Sequence, residues 1–170
     1  MTAPATAAPG RASSALSAHL EVAGRYGVAF RSYERDGAMR ICYDGEAFRR
    51  VLAMPSSASQ RARAALGLTQ AECIDQATPV SERQRIDASR AEVLDRVDEA
   101  QLPKLLKNRV AMRRASVWSG LAYQHARRGE PATEAAQRAL VELATVNRAE
   151  LADDDLPAWN DAAIRVGASR

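Results

Sequence analysis

Three adjacent carboxylates, Asp153, Asp154 and Asp155, are the first residues in this chain that suggest chemistry, because clustered oxygen ligands hold divalent cations. A cation site needs those oxygens spaced around a glycine-containing loop, and here they run consecutively into Pro157 and an apolar-patterned end with Trp159, Ile164 and Val166. Capping of a C-terminal helix is therefore the reading they receive. Asp44 and Glu46 follow a strand-like run and match a catalytic carboxylate pair in type, but they fit a turn and a first helical turn equally well. His19 and His125 have no nucleophile at a spacing that connects to either, and histidine alone is weak evidence. Cys42 and Cys73 form no CxxC pair and lie far from both histidines, so zinc ligation is not expected. There is no glycine-rich phosphate loop, GxSxG elbow or HExxH, so the chain is read as a non-enzyme with no cofactor and no metal.

The strongest chemical signal is cationic. From Pro103 to Arg128 no carboxylate occurs, while Lys104, Lys107, Arg109, Arg113, Arg114, Arg127 and Arg128 fall inside one expected long helix. Such clusters recognise phosphate backbones, and Lys104, Lys107, Arg109, Arg113 and Arg114 are the candidate nucleic-acid contacts of an alternative reading. Projected at about 100° per residue, Leu106, Val110, Val117 and Leu121 share one face and Leu105, Met112 and Tyr123 another, so neighbours are expected on two sides. The cations then lie in seams between these faces, where acidic neighbours pair with them. Residues 130–170 supply eight carboxylates against four arginines. A basic helix docked beside an acidic C-terminal region is the economical arrangement, adding specificity more than stability.

The elements that must position these residues follow from composition and punctuation. At 170 residues, 46% apolar and only 5% aromatic, the chain is long enough for a core of Leu, Val and Ala, the composition of helix packing. The net charge of +3, with 22 arginines and two lysines, does not make it a polycation. The arginine and alanine bias suggests a bacterial coding sequence of high GC content. Leu16, Leu20 and Ala23 mark a first short helix. Val28–Glu34 and Met39–Tyr43 flank Asp36-Gly37, the pair a type I′ turn needs, and predict a β-hairpin over about 28–43 with Phe30 opposite Tyr43, Ser32 opposite Ile41 and Glu34 opposite Met39. On that register Arg31, Tyr33, Arg40 and Cys42 share the wetter face.

Thereafter the period is helical. Phe48, Val51 and Leu52 define a helix stopped by Pro55; Ser57 with Gln60, Thr69 with Glu72 and Ser81 with Gln84 have capping-box spacing and predict short helices joined by tight turns. A helix is expected from about Ser81 to Val97, and Pro103 opens the basic helix. The expected organisation is a flexible Ala/Pro/Ser-rich segment at 1–12 and a single, mainly α helical domain at 13–170, a bundle carrying the one N-terminal hairpin.

The stretch Ala115–Leu143 resembles a tetratricopeptide helical hairpin. Trp118, Leu121 and Ala122 stand where that motif has its Trp, Leu and small residue, and Gly129 stands at its helix-breaking turn. Ala139 and Leu140 resemble its second-helix pair but arrive two residues early, and Pro131 replaces the aromatic expected after the turn. The resemblance implies a protein or peptide ligand in a concave face. The expected function is thus an adaptor or accessory module with a protein partner, contacted through Tyr123, Gln124, Arg127 and Arg128 on the helix and Arg31, Tyr33 and Arg40 on the hairpin. No stretch is apolar enough to span a bilayer. Cytoplasmic placement is the default expectation; the periplasm is the alternative if a leader has been removed and Cys42 and Cys73 form a disulfide. Oligomeric state has no signature in the sequence.

Overall fold

The computed structural model describes residues 30–35, 38–43, 46–71, 78–151 and 155–169, with side chains described from Phe48 onward within those ranges except at positions 70 and 71. The chain is mainly α. Among the described residues the helices are α1 (Glu46–Ala53), α2 (Ala58–Ala71), α3 (Val80–Asp95), α4 (Lys104–Arg127), α5 (Thr133–Thr145) and α6 (Asp155–Ala168), with a 3₁₀ turn at Arg148–Glu150. Ahead of them the backbone runs through β1 (Phe30–Arg35) and β2 (Ala38–Tyr43), drawn antiparallel with Phe30 across from Tyr43. The side chains of that segment, the first expected helix, the Asp36-Gly37 turn, the terminal segment 1–12, the Asp44 and Glu46 carboxylates, and the Cys42 and Cys73 thiols, with the question of a disulfide between them, all lie outside the described residues.

Punctuation explains where the helices begin and end. Pro55 follows α1 closely, and α2 opens with a reciprocal box: Ser57 N donates to Gln60 Oε1 at 3.0 Å, and Gln60 N donates to Ser57 Oγ at 3.2 Å. The other two expected boxes are corrected. Thr69 does not start a helix; it is buried within α2, where its hydroxyl donates to the Leu66 carbonyl at 2.6 Å. Threonine accepts that helical position because its hydroxyl folds back on the preceding turn. Ser81 is likewise inside α3, whose first turn is set by Pro79 at φ −56° with no side-chain cap, and Gln84 reaches across to α4 instead. Spacing alone cannot distinguish a cap from a residue with a tertiary partner. The α4 helix starts after Pro103 and ends at Gly129, whose φ of +70° suits glycine. There Gly129 N donates to Ala126 O at 3.1 Å and Glu130 N to His125 O at 2.9 Å, the paired bonds of a Schellman ending.

The 24-residue α4 is the axis of the fold, with α2, α3, α5 and α6 all packed against it. Its first apolar face is buried as the periodicity predicts: Leu106, Val110, Val117 and Leu121 join Leu66, Leu94, Ala135, Ala139 and Val166 in the main core. Many of those neighbours are alanines, which let helices approach closely without large side chains between them. Of the second face only Met112 is buried, against Ala115 and Ala162; Leu105 (61%) and Tyr123 (37%) are exposed. Those two lie toward the two ends of α4. Ala115, where the tetratricopeptide resemblance begins, sits in the middle of α4 rather than at a helix start.

The acidic C-terminal region docks on α4 by more than charge. Asn108, buried on α4, donates from Nδ2 to the Asn147 carbonyl at 3.0 Å and accepts from the Asn147 amide at 2.7 Å. Asn147 in turn caps the 3₁₀ turn through its side chain. Around this clamp, Lys104 pairs with Glu150 at 2.6 Å and Arg109 with Asp155 at 3.6 Å. Asp155 is buried in the first turn of α6, where a carboxylate suits the helix dipole; Asp153 and Asp154 lie outside the described residues.

Candidate functional site

Three of the expected contact residues, Tyr123, Gln124 and Arg127, meet at one cleft. It has a volume of about 310 Å³ and lies between α3 and the C-terminal half of α4, with Thr69 of α2 and Arg165 of α6 closing its ends. The helical period builds it. Arg83, Asp87 and Arg90 recur at i, i+4 and i+7 on α3, and Arg113, Ser116, Gly120, Tyr123, Gln124 and Arg127 recur on the facing side of α4. Gly120 faces Asp87 across the cleft, where a Cβ would stand in ordinary contact, 3.4 Å from Asp87 Oδ2.

Among the described residues the lining holds five arginines, Arg83, Arg90, Arg113, Arg127 and Arg165, and one carboxylate, Asp87; Arg83 and Arg113 also have partners within the molecule. Asp87 is buried and both its oxygens are engaged: Arg90 Nη1 donates to Oδ1 at 3.0 Å and Gln124 Nε2 donates to Oδ2 at 2.8 Å. It therefore orients Arg90 and Gln124 and offsets part of the cationic charge. Arg83 is steadied by donating from Nε to the Thr78 carbonyl at 2.9 Å, and the Arg127 guanidinium lies 5.9 Å from the centre of the Tyr123 ring. Two buried polar atoms of the lining, Arg90 Nε and Gln124 Oε1, have no hydrogen-bond partner among the described residues. Guanidinium groups present forked donors of the kind that pair with carboxylates and other anions.

The other expected contacts are placed elsewhere. Arg128 leaves the cleft for a neighbouring cluster at the end of α4, where its Nη1 donates to Gln84 Oε1 at 2.7 Å and its Nε lies 2.9 Å from Glu130 Oε1. Glu130 also accepts from Gln84 Nε2 at 3.0 Å and has His125 Nδ1 at 2.7 Å from Oε2. Those two hydrogen bonds, Gln84 first and His125 second, hold its carboxyl below the usual range, with the Arg128 charge adding to the effect. The side chains of Arg31, Tyr33 and Arg40 lie outside the described residues.

The basic residues of α4 do not form one continuous surface. Arg113 lines the cleft, whereas Arg114, with a side chain only 12% exposed, turns to the opposite side of the helix. There it donates to the Leu94 carbonyl from Nη2 at 2.7 Å and from Nε at 3.2 Å, and pairs with Glu99; Asp95 and Glu142 stand at 3.8 and 3.9 Å. It acts as a C-cap for α3 from a neighbouring helix. Lys104, Lys107 and Arg114 line a second hollow together with Glu99, Glu142 and Glu150, so cations and carboxylates are equal in number there. Burial pushes the Glu142 carboxyl above the usual range in spite of Arg114.

Sequence reasoning missed Arg83, Asp87, Arg90 and Arg165. The first three carried a signal, the i, i+4, i+7 spacing on α3, which becomes meaningful only once α3 is known to face α4; Arg165 carried none. Among the described residues no group of three His, Cys, Asp or Glu side chains is placed to hold a metal ion, and no helix is long and apolar enough to cross a membrane. No protein-family model matches the chain, and no curated protein or solved structure matches it either.

Proposed function

We propose that this protein is a non-enzymatic protein-interaction module, an adaptor or accessory protein of a bacterium, that grips a partner chain at the arginine-lined cleft. The observation that supports this is the grouping of Tyr123, Gln124 and Arg127 with four further arginines in one open cleft whose described lining has one carboxylate. Cation-rich concave surfaces with an aromatic at the rim suit an acidic protein segment, and the charge excess steers its approach. The 115–143 stretch, read as a tetratricopeptide-type helical hairpin, supplies the rigid wall. The hairpin at 28–43, with Arg31, Tyr33 and Arg40 on one face, extends the contact surface. Cytoplasmic placement fits this reading.

A nucleic-acid partner reached through Lys104, Lys107, Arg109, Arg113 and Arg114 is the alternative. The dispersal of those cations weighs against it, because Arg109 and Arg114 sit in ion pairs with the chain's own carboxylates, and only Arg113 is in the cleft. A phosphate-tracking surface needs its cations along one exposed line. The test is capture from bacterial lysate with wild-type protein, the double variant Tyr123→Ala/Arg127→Gln and Arg109→Gln, each with and without nuclease. The adaptor reading expects a protein partner that withstands nuclease, is lost in the double variant and is kept by Arg109→Gln. Material that is nuclease-sensitive and lost in Arg109→Gln would overturn it.

A further inference from the structure

Another hollow, of about 390 Å³, lies where α1, the opening of α2 and the end of α3 meet, and among the described residues it shares no lining with the arginine-lined cleft. Its floor is aliphatic. Leu52, Val93 and Val97 pack on the main core, remain half-buried and line the hollow together with Ala58. The polar part of the described lining is three exposed side chains, Arg61, Arg96 and Asp98. Asp98 is engaged locally, its Oδ1 accepting from the Ala100 amide at 3.0 Å, and no ion pair among the described residues includes Arg61 or Arg96. Helix electrostatics accounts for only one of these two guanidinium groups. Arg96 follows the last residue of α3, where the dipole favours a cation, whereas Arg61 stands one turn into α2, where the dipole opposes one. The volume is within the range of small-molecule sites, in which an apolar lining takes the body of the ligand and a few polar groups orient it. Forked guanidinium donors select an anionic head. A peptide suits the hollow less well, because its backbone amides would lie against Leu52, Val93 and Val97 without hydrogen-bond partners.

We propose that this hollow binds a free aliphatic carboxylate, with its hydrocarbon tail on Leu52, Val93 and Val97 and its head paired with Arg61 and Arg96. Removal of the tail from water drives the binding, and the charged head stays at the exposed rim. No bond is made or broken.

The test is isothermal titration calorimetry of the full chain with decanoate below its micelle-forming concentration, with 1-decanol and butyrate as comparisons. Decanoate is expected to bind saturably, butyrate to show no binding, and 1-decanol, which has the same tail and no charge, to bind about tenfold more weakly. The double variant Arg61→Gln/Arg96→Gln, at exposed positions, weakens decanoate binding about tenfold, while Arg85→Gln, exposed on α3 outside the hollow, leaves it unchanged. Methyl resonances of Leu52, Val93 and Val97 shift on titration, and that of Val141 on α5 does not. Absence of saturable decanoate binding, equal binding of decanoate and 1-decanol, or an unchanged affinity in the double variant overturns the proposal. Binding that shifts the Val141 methyls and leaves those of Leu52, Val93 and Val97 in place overturns it as well.

Discussion

At the scale of single residues, the tightest steric constraint lies away from the cleft. A Cβ at Gly67 would overlap the edge of the Phe48 ring, which packs against α2 at that point. Gly67→Ala is therefore expected to lower stability by about 1–3 kcal/mol through overpacking, read as a shifted midpoint in urea with an unchanged slope. Two carboxylates give pH predictions of opposite sign. Glu130 has its folded-state pKa lowered, so its contribution is present above the ordinary carboxylate pKa and is lost as pH falls through the lower folded value. Glu130→Gln should flatten the fall in stability on acidification. Glu142 has its folded-state pKa raised by burial, so the contribution is fully present at low pH and is lost as pH rises through the folded value. Glu142→Gln should accordingly raise the melting temperature at neutral pH relative to wild type and change it little at pH 4. A lower melting temperature for Glu142→Gln at neutral pH would mean that its attraction to Arg114 outweighs its burial.

At the scale of elements, Arg114 joins the end of α3 to α4, bonded to two oxygen-bearing groups and near two more. Arg114→Met should cost about 1–3 kcal/mol, since it leaves the carbonyl of buried Leu94 and the partly buried Glu99 carboxylate without their donor, and Arg114→Lys should recover only part of this because a single ammonium cannot fork. Denaturant titration of both variants checks the order. Trp118 is half-buried against the main core with Arg138 stacked 4.4 Å from its ring centre, so Trp118→Ala should cost about 3 kcal/mol, near the lower end for a buried aromatic. The helices themselves were legible in the sequence because Leu106, Val110, Val117 and Leu121 repeat at helical spacing, and because Pro55, Pro79, Pro103 and Gly129 interrupt the backbone in ways propensity already describes. The Ser57–Gln60 box was legible too. Thr69 and Ser81 misled because the same spacing arises inside helices, where the side chain bonds its own turn or its partner residue bonds another helix. The Asn108 clamp on Asn147 had no sequence signal, since an asparagine mid-helix announces no partner 39 residues away.

At the scale of the whole molecule, the charge pattern was half legible. Acidic residues of the C-terminal third do neutralise one side of α4, at Lys104, Arg109 and Arg114, as the count of carboxylates suggested. The other side could not be read from α4 alone, because the cleft takes Arg83 and Arg90 from α3 and Arg165 from α6, and only the packing angle of three helices brings them to Arg113 and Arg127. Among the described residues one side of α4 is neutralised by the chain's own carboxylates and the other carries the arginine-lined cleft, where the proposed partner binds. The most direct check is site-specific photo-crosslinking in bacterial cells, with a photoreactive amino acid at position 123 on the cleft rim and, for comparison, at exposed position 134 on α5. The account predicts a discrete protein adduct at position 123, lost when Arg127→Gln is added, and none at 134. Nucleic-acid adducts at 123, or equal adducts at both positions, would contradict it.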